Sequence, residues 1–473
     1  MYFFLSFFFL ASFIHSQEKE DELLFVHVHF RHGARSPMSI NEKGQDYFNN
    51  TWDFPGELTP SGRRMEYILG LFLRKKYYET NFLSQTFDPR EIYLISSDIN
   101  RTIQSAYSML QGLYPSLNGP ELNEKQLQFA VAPIDLSDPE IQKEISDMGN
   151  YALPNKKNVI PVHLFNVKEH RFLLQDPWNC QPLEKLHKKN LNMDSIKEMI
   201  KQFNETMYNK YNDFFKNSNI SSNDFDFNYI GTFSDQFVSG YYNNKDYSIL
   251  SKDPEEIKKI LDLSNEILKV SIRDQSFANG TDESAIMSSS PVFSEMLTFM
   301  NRSTIRPKQI GYSDSSYPKI YFVSGHDSSV GAAELVMQQV FNLKSEQYYH
   351  PFYASNIRFE LYRNNSANEA DPKEELFYVK YYFQEKEIGT WGFKHFNQTL
   401  RAKLFTDERI AKFCDFNSNG SSLLLWILII LIVFCVAIVI GIIVLFINQK
   451  KKINNASNGS QPEGLLPNDR NWS

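Results

Sequence analysis

The run RHGARSP sets Arg31 and Arg35 around His32 on a tight turn allowed by Gly33 and stopped by Pro37. Two guanidinium forks beside an imidazole suit an oxyanion, because Arg binds phosphate in a planar, bidentate manner at roughly 1.5–3 kcal/mol per charge-assisted bond. Such cations also bias the histidine to its neutral form, which leaves a ring-nitrogen lone pair for attack on phosphorus. Taken alone, RHG reads more readily as a solvated basic loop. Two other segments supply what is missing: Arg101 lies in SSDINRT, and His326 with Asp327 in SGHDSS. Phosphoryl transfer needs cations spread over the equatorial oxygens and an acid in line with the leaving oxygen. Arg101 and His326 fit the first role and Asp327 the second, although Asp327 also suits a helix N-cap and Arg101 an exposed place in a helix's first turn.

These residues act together only if the chain carries them to one place. Each group follows a β-type run: Leu24 to Phe30 before RHGARSP, Glu91 to Ser96 before SDINRT, and Lys319 to Ser324 before GHDSS. The second run leads to a helical segment that stops at Gly112 and Pro115, the third to an apolar helix from about Ser329 to Phe341. Strands alternating with helices predict a mainly parallel sheet, in which ligands gather beyond the carboxyl ends of the strands. All three polar loops lie at that end and are expected to converge. Between Glu57 and Phe82 a long amphipathic helix is predicted to cover the sheet, with Thr59 as N-cap, Pro60 at N1, and Met65, Leu69, Phe72 and Leu73 on one face.

At 473 residues the chain exceeds what one hydrophobic core usually fills. From about Leu117 to Asp274 its character changes, with Lys, Asn, Asp and Glu in helical repeats such as MDSIKEMIKQFNETMYNKYNDFFK. This predicts a mostly helical cap over 117–274, inserted into a catalytic α/β domain built from 17–116 and 275–412. A formal net charge of -7 argues against a general nucleic-acid binder, so an anionic substrate must be met by a local cluster of cations.

Both ends carry apolar runs. Met1 to Ser16 reads as a signal peptide, with a buried N-terminal strand as the alternative. After a linker over 413–422, Leu423 to Ile447 is long enough to cross a bilayer, and Lys450, Lys451 and Lys452 follow it. Positive residues stay cytoplasmic, so 448–473 is expected inside and the bulk of the chain in a lumen or outside the cell. That is the topology of a single-pass type I membrane protein of the secretory pathway. Cys435 lies within the span; Cys180 and Cys414 are left in an oxidising compartment, where one disulfide between them is the economical reading. N-x-S/T triplets at Asn49, Asn204, Asn219, Asn279, Asn301, Asn364, Asn397 and Asn419 fit a glycosylated ectodomain.

RHGARSP resembles the RHGxRxP signature of the histidine acid phosphatases, and GHDSS resembles their second His-Asp motif. GELTPSGRRMEYILGLFLRKKY, SSDINRTIQSAYSMLQGLYP and YASNIRFELY are similar to stretches of the family's lysosomal and prostatic members, and the likeness runs from about Leu24 to Cys414, weakest through the cap. The resemblance implies an acid phosphatase of phosphate monoesters working through a phosphohistidine: His32 as nucleophile, Arg31, Arg35, Arg101 and His326 as phosphate ligands, Asp327 as proton donor. It implies a phosphoglycerate-mutase-like three-layer α/β sandwich with a helical cap, no metal cofactor, and often a homodimer. The chain departs from the family in lacking its additional disulfides, and its tail has no tyrosine, only Leu465-Leu466 as a weak dileucine signal, which leaves lysosome or endosome against cell surface open.

Three rival readings remain beside this one. His27, His29 and His32 form an alternating string that suits a metal, but no acidic or cysteine ligand is near, and two histidines packed in a strand is the simpler account. A phytase-like or inositol polyphosphate phosphatase is the closer competitor; His326-Asp327-Ser328 favours the acid phosphatase branch, since phytases commonly displace the acidic residue by one position. A membrane receptor on an inactive version of the fold would be expected to have lost His32, an Arg or Asp327, and none is lost.

Overall fold

The computed structural model describes residues 20–114, 119–156, 159–165, 180, 182, 185, 193–217, 221, 225–276, 283–305, 318–343, 351–367, 376–414 and 418–457. The signal-peptide reading of Met1 to Ser16 and the Leu465-Leu466 signal lie outside these residues.

Among the described residues, seven strands form one sheet: β1 (Glu22–Arg31), β2 (Ile92–Ser96), β3 (His163–Leu164), β4 (Ile320–Gly325), β5 (Asn356–Arg363), β6 (Phe377–Phe383) and β7 (Lys386–Gly392), in the order β3-β2-β4-β1-β5-β6-β7. β3, β2, β4 and β1 pair in parallel, and β5, β6 and β7 continue the sheet as antiparallel neighbours. β1 lies between β4 and β5 with both faces covered, which is why it reads as a nearly unbroken apolar run. Strand alternation sends Phe25 and Tyr321 to one face, against the helices Glu283–Thr304 and Asp327–Val340. Val26, Val28, Phe30 and Phe322 go to the other, against α1 (Pro60–Leu73) and α2 (Asn100–Leu113). The result is three layers.

The register sets the level at which the polar loops leave the sheet. Ser324 of β4 stands beside Ser96 of β2 and Phe30 of β1, so Ser97, Gly325 and Arg31 emerge side by side. The convergence expected from the three runs follows directly.

α1 begins as its sequence signals indicate: Thr59 caps it by accepting from the Gly62 amide, and Pro60 opens the first turn. It ends earlier, passing at Arg74 into a single π-helical turn that stops at Tyr78. Its buried face also differs from the expected apolar stripe, being Gly62, Glu66, Leu69, Gly70 and Leu73, with Met65 and Phe72 only half-buried. Backbone contact is the reason: a Cβ on Gly70 would stand 2.0 Å from the Met109 carbonyl oxygen, and one on Gly112 2.1 Å from that of Tyr67. Two glycines thus bring α1 and α2 together more closely than any apolar pair allows, and Gly112 lies inside α2 rather than ending it.

The segment expected to be a helical cap does contain the helices Asp194–Phe203, Phe227–Tyr242 and Pro254–Ser276, packed around Phe203, Phe215, Phe225, Phe233 and Phe237. It also contributes β3 to the edge of the sheet, and its last helix runs past Asp274. Phe48 joins the aromatic cluster from the loop after RHGARSP, 5.1 Å from Phe233 between ring centres.

The chain divides into two compact units, Met1–Ile410 and Ala411–Ser473. The second contains the helix Ser418–Ser457, in which Trp426–Lys452 is long and apolar enough to cross a membrane. Cys180 and Cys414 are each disulfide-bonded, and Cys435 is free.

Candidate active site

The backbone of RHGARSP is tied on three sides. The Arg31 amide donates to the Ser355 carbonyl, the His32 amide to Gly325 and the Gly33 amide to the Ser105 hydroxyl. Thr59 holds the Ala34 carbonyl with both its amide and its hydroxyl, so the cap of α1 also anchors the loop. Gly33 was expected to serve a tight turn, but it is not in the left-handed region; a Cβ there would stand 2.2 Å from the Gly62 carbonyl oxygen. Its role is close approach to α1.

Arg31, His32, Arg35, Arg101, His326 and Asp327 come together here. His32 Nδ1 lies 2.8 Å from the Gly33 carbonyl oxygen, which only accepts, so Nδ1 carries the proton and Nε2 of the neutral ring keeps its lone pair. The ring is buried and stands 5.4 Å from that of His326 between centres. Burial, then the charges of Arg101, Arg31, His326 and Arg35, hold its pKa well below the ordinary histidine value.

Each arginine is fixed through its terminal nitrogens. Arg31 donates to the Pro351 carbonyl at 2.6 Å and pairs with Asp327 at 2.7 Å, with its guanidinium 4.3 Å above the Tyr353 ring. Arg35 makes a forked pair with Asp235 at 2.6 and 3.3 Å. Burial works against the Arg35 cation, yet Asp235 outweighs it and raises the pKa above the ordinary value. Arg101 reaches His326 Nδ1 at 3.2 Å and the Gly56 carbonyl at 3.4 Å; burial and the charge of Arg35 lower its pKa to about 10. The Nε atoms of Arg35 and Arg101 are buried and make no hydrogen bond. An oxyanion with several acceptor oxygens answers that arrangement.

His326 is the N-cap of the helix Asp327–Val340, and Ser329 braces it by accepting from its amide and donating to its carbonyl. The competing reading of Asp327 as N-cap therefore gives way: Asp327 is the first helical residue and is a quarter exposed, on the accessible side of the cluster. Three further contributors carried no signal of their own. Tyr353 comes from the turn before β5, Asp235 from the helix Phe227–Tyr242, and Ser97 from the end of β2. Tyr353 at least lies in YASNIRFELY, a stretch whose resemblance marked it.

His27 and His29 take other partners. His27 Nδ1 bonds to the Tyr321 carbonyl at 3.1 Å and His29 Nε2 to the Ser329 hydroxyl at 3.1 Å, and both side chains are buried. Among the described residues, no group of three or more His, Cys, Asp or Glu is placed to hold a metal ion.

The buried ionisable groups predict a pH profile of stability. His27, His29, His32 and His326 are all held below 6.5 chiefly by burial, so their contribution is present above that unfolded value and is lost as pH falls toward the folded value, about 3 for His29. At about 1.4 kcal/mol per pKa unit, each such shift matters against a marginal total. Glu66 and Glu334, raised well above 4.5 by burial, act oppositely, stabilising at low pH and losing that contribution as pH rises through their folded values. Between 4.5 and 6.5 the four histidines outweigh the two carboxyls, so the melting temperature of the anion-free protein should rise across this interval, and His29→Val should flatten the slope. Melting curves that are level or falling across it would contradict the assignment of neutral rings.

A sequence model of the histidine phosphatase superfamily (branch 2) matches residues 22–384. The prostatic acid phosphatase of Homo sapiens is 24% identical over 370 residues, which cover 77% of this chain and 78% of that protein. The testicular acid phosphatase of Mus musculus is 35% identical over 120 residues, 24% of this chain, and in that match the chain spans only 28% of the relative's length. A solved phytase of Hafnia alvei in complex with tartrate has a TM-score of 0.53 at 13% identity, over 82% of this chain and 98% of that one. That likeness is one of fold.

Proposed function

Because the chain belongs to the histidine phosphatase superfamily (branch 2), we propose that it is an acid phosphatase that hydrolyses phosphate monoesters through a phosphohistidine on His32. The observation that carries this reading is the lone pair of His32 Nε2, set among Arg31, Arg35 and Arg101 by the bond from Nδ1 to the Gly33 carbonyl. The arginines and His326 hold the phosphoryl oxygens and spread the charge of the transition state. Nε2 forms the bond to phosphorus as the ester P–O bond breaks, and Asp327 gives its proton to the leaving oxygen. Water then attacks the phosphohistidine, Asp327 takes the water's proton, and inorganic phosphate leaves with His32 restored.

Asp327 is paired with Arg31. An entering phosphate competes for the same guanidinium, and its negative charge beside Asp327 favours the protonated carboxyl that the first step needs. Activity should accordingly favour acidic pH.

The acid phosphatase relatives and the span Trp426–Lys452 support a membrane-anchored protein of the secretory pathway. The cluster Lys450, Lys451 and Lys452 favours a cytoplasmic end after the span, with the catalytic residues lumenal or extracellular and the N-x-S/T sites open to glycosylation.

The test is to trap the intermediate. Protein mixed with a phosphate-labelled substrate and quenched should carry phosphate that is lost in acid and kept in base, mapping to the peptide that contains His32. Label that is stable in acid, or that maps to a serine, would overturn the reading.

A further inference from the structure

Ser97, the first residue beyond β2, is buried and has none of the roles assigned above. Its hydroxyl oxygen lies 2.8 Å from His326 Nε2 and 2.8 Å from Thr102 Oγ1. On the other side of the ring, Arg101 Nη2 lies 3.2 Å from His326 Nδ1. The hydrogens follow from what each group can give. A guanidinium only donates, so Nδ1 accepts, and the single proton of the neutral ring sits on Nε2 and goes to Ser97. Ser97 then donates to Thr102, whose own proton goes to the carbonyl of Ile99 at 2.8 Å or Ser97 at 2.9 Å. The chain is satisfied in one direction only, and burial raises the cost of breaking it.

The nitrogen that faces the arginine cluster therefore presents a lone pair. A phosphate oxygen is also an acceptor and gains nothing from it. We propose that Ser97 is a positioning residue that fixes His326 as its Nε2–H tautomer, so that His326 donates to bound phosphate only as an imidazolium and the site takes up a proton together with the anion. This rests on the phosphatase reading and goes beyond it.

The charges facing His326 allow such a change. They are Arg31 at the end of β1, Arg35 with His32 from the loop after it, Arg101 from α2, and Asp327 from its own helix. Without an anion, burial and then Arg101 keep the ring neutral, against the opposing pull of Asp327. A tetrahedral dianion held by the same arginines reverses the sign of the local field and favours the second proton. By linkage, affinity for the dianion then rises about tenfold for each unit fall in pH while the free protein keeps His326 neutral.

The experiment is calorimetric titration of the detergent-solubilised full chain with tungstate, a tetrahedral dianion that does not itself titrate near neutral pH. Buffers of different ionisation heat report the protons taken up per anion. Wild type should show uptake, and affinity should strengthen as pH falls. Ser97→Ala frees Nε2, lets the neutral ring carry its proton on Nδ1, and should bind with clearly less uptake and a flatter pH dependence. Ser97→Thr, which restores the hydroxyl, should return both. A packing role for Ser97 would change affinity and leave the proton count alone, and protons taken by Asp327 or His32 do not pass through Ser97. Equal uptake in wild type and Ser97→Ala, or none in wild type, overturns the inference and leaves the phosphatase reading standing. Failure of tungstate to bind at all overturns both.

Discussion

Replacing His32 with alanine is expected to lower phosphate release from p-nitrophenyl phosphate by about 10⁵–10⁶-fold, the scale on which a covalent enzyme fails without its nucleophile. The size follows from the lack of a substitute. His326 is the nearest other imidazole, 5.4 Å away between ring centres, but its Nε2 proton is committed to Ser97 and its Nδ1 accepts from Arg101. Binding is not expected to fail in parallel, because Arg31, Arg35 and Arg101 are fixed by Pro351, Asp235 and Gly56 and not by His32. Tungstate affinity thus serves as the control for an intact site. A loss of this size with affinity kept assigns His32 to the chemical step; activity within tenfold of wild type would remove the covalent mechanism. An unfolded variant would lose tungstate affinity as well, so retained affinity separates loss of the nucleophile from the cavity left by a buried side chain.

The residues proposed to act on phosphate were legible because each contributor is local. Arg31, His32, Arg35, Arg101, His326 and Asp327 all lie within a few residues of an apolar run, and the parallel register of β2, β4 and β1 does the rest. The residues that hold them were not legible, because their roles exist only through distant contacts. Asp235 sits in a helix that buries Phe233 and Phe237 in the aromatic cluster, and only the fold brings its carboxylate to Arg35. Ser97 is one of several small polar residues after β2, and nothing local distinguishes it from Ser96, whose hydroxyl turns back to a backbone carbonyl.

The same distinction runs through the fold. Thr59 and Pro60 announced the start of α1, since capping is a matter of neighbouring residues. Of its expected apolar stripe Leu69 and Leu73 are buried, but hydrophobic periodicity is blind to backbone contact, and Gly62 and Gly70 are what meet the loop and α2. The antiparallel half of the sheet gave little warning either. β6 and β7 are joined through Gln384, which adopts a φ of 54° without the Asn-Gly or Asp-Gly pair that usually marks such a hairpin.

Asp327→Asn should separate two kinds of substrate. An alkyl phosphate leaves as an alkoxide, which departs poorly unless protonated, and loss of the general acid should slow its phosphorylation of His32 by about 10²–10⁴-fold. p-Nitrophenyl phosphate needs little protonation of its leaving group and should lose much less in that step. The comparison requires single-turnover rates of phosphoenzyme formation, because in the proposed mechanism the same carboxylate also activates water in the second step, and steady-state turnover would mix the two. Asparagine preserves the shape of the side chain and its acceptor toward the Ser328 amide at 2.8 Å, so the first turn of the helix should stand. It also removes the charge that pairs with Arg31 in the anion-free site, so anion binding should hold or tighten while chemistry slows. A purely structural role for Asp327 makes a different forecast: with the loop misplaced, Arg31 and His326 would lose their aim, and both substrates would suffer equally in rate and in binding. Equal losses would move the search for the acid to the segment 117–274, while a leaving-group dependence with tungstate affinity intact would fix Asp327 as the proton donor.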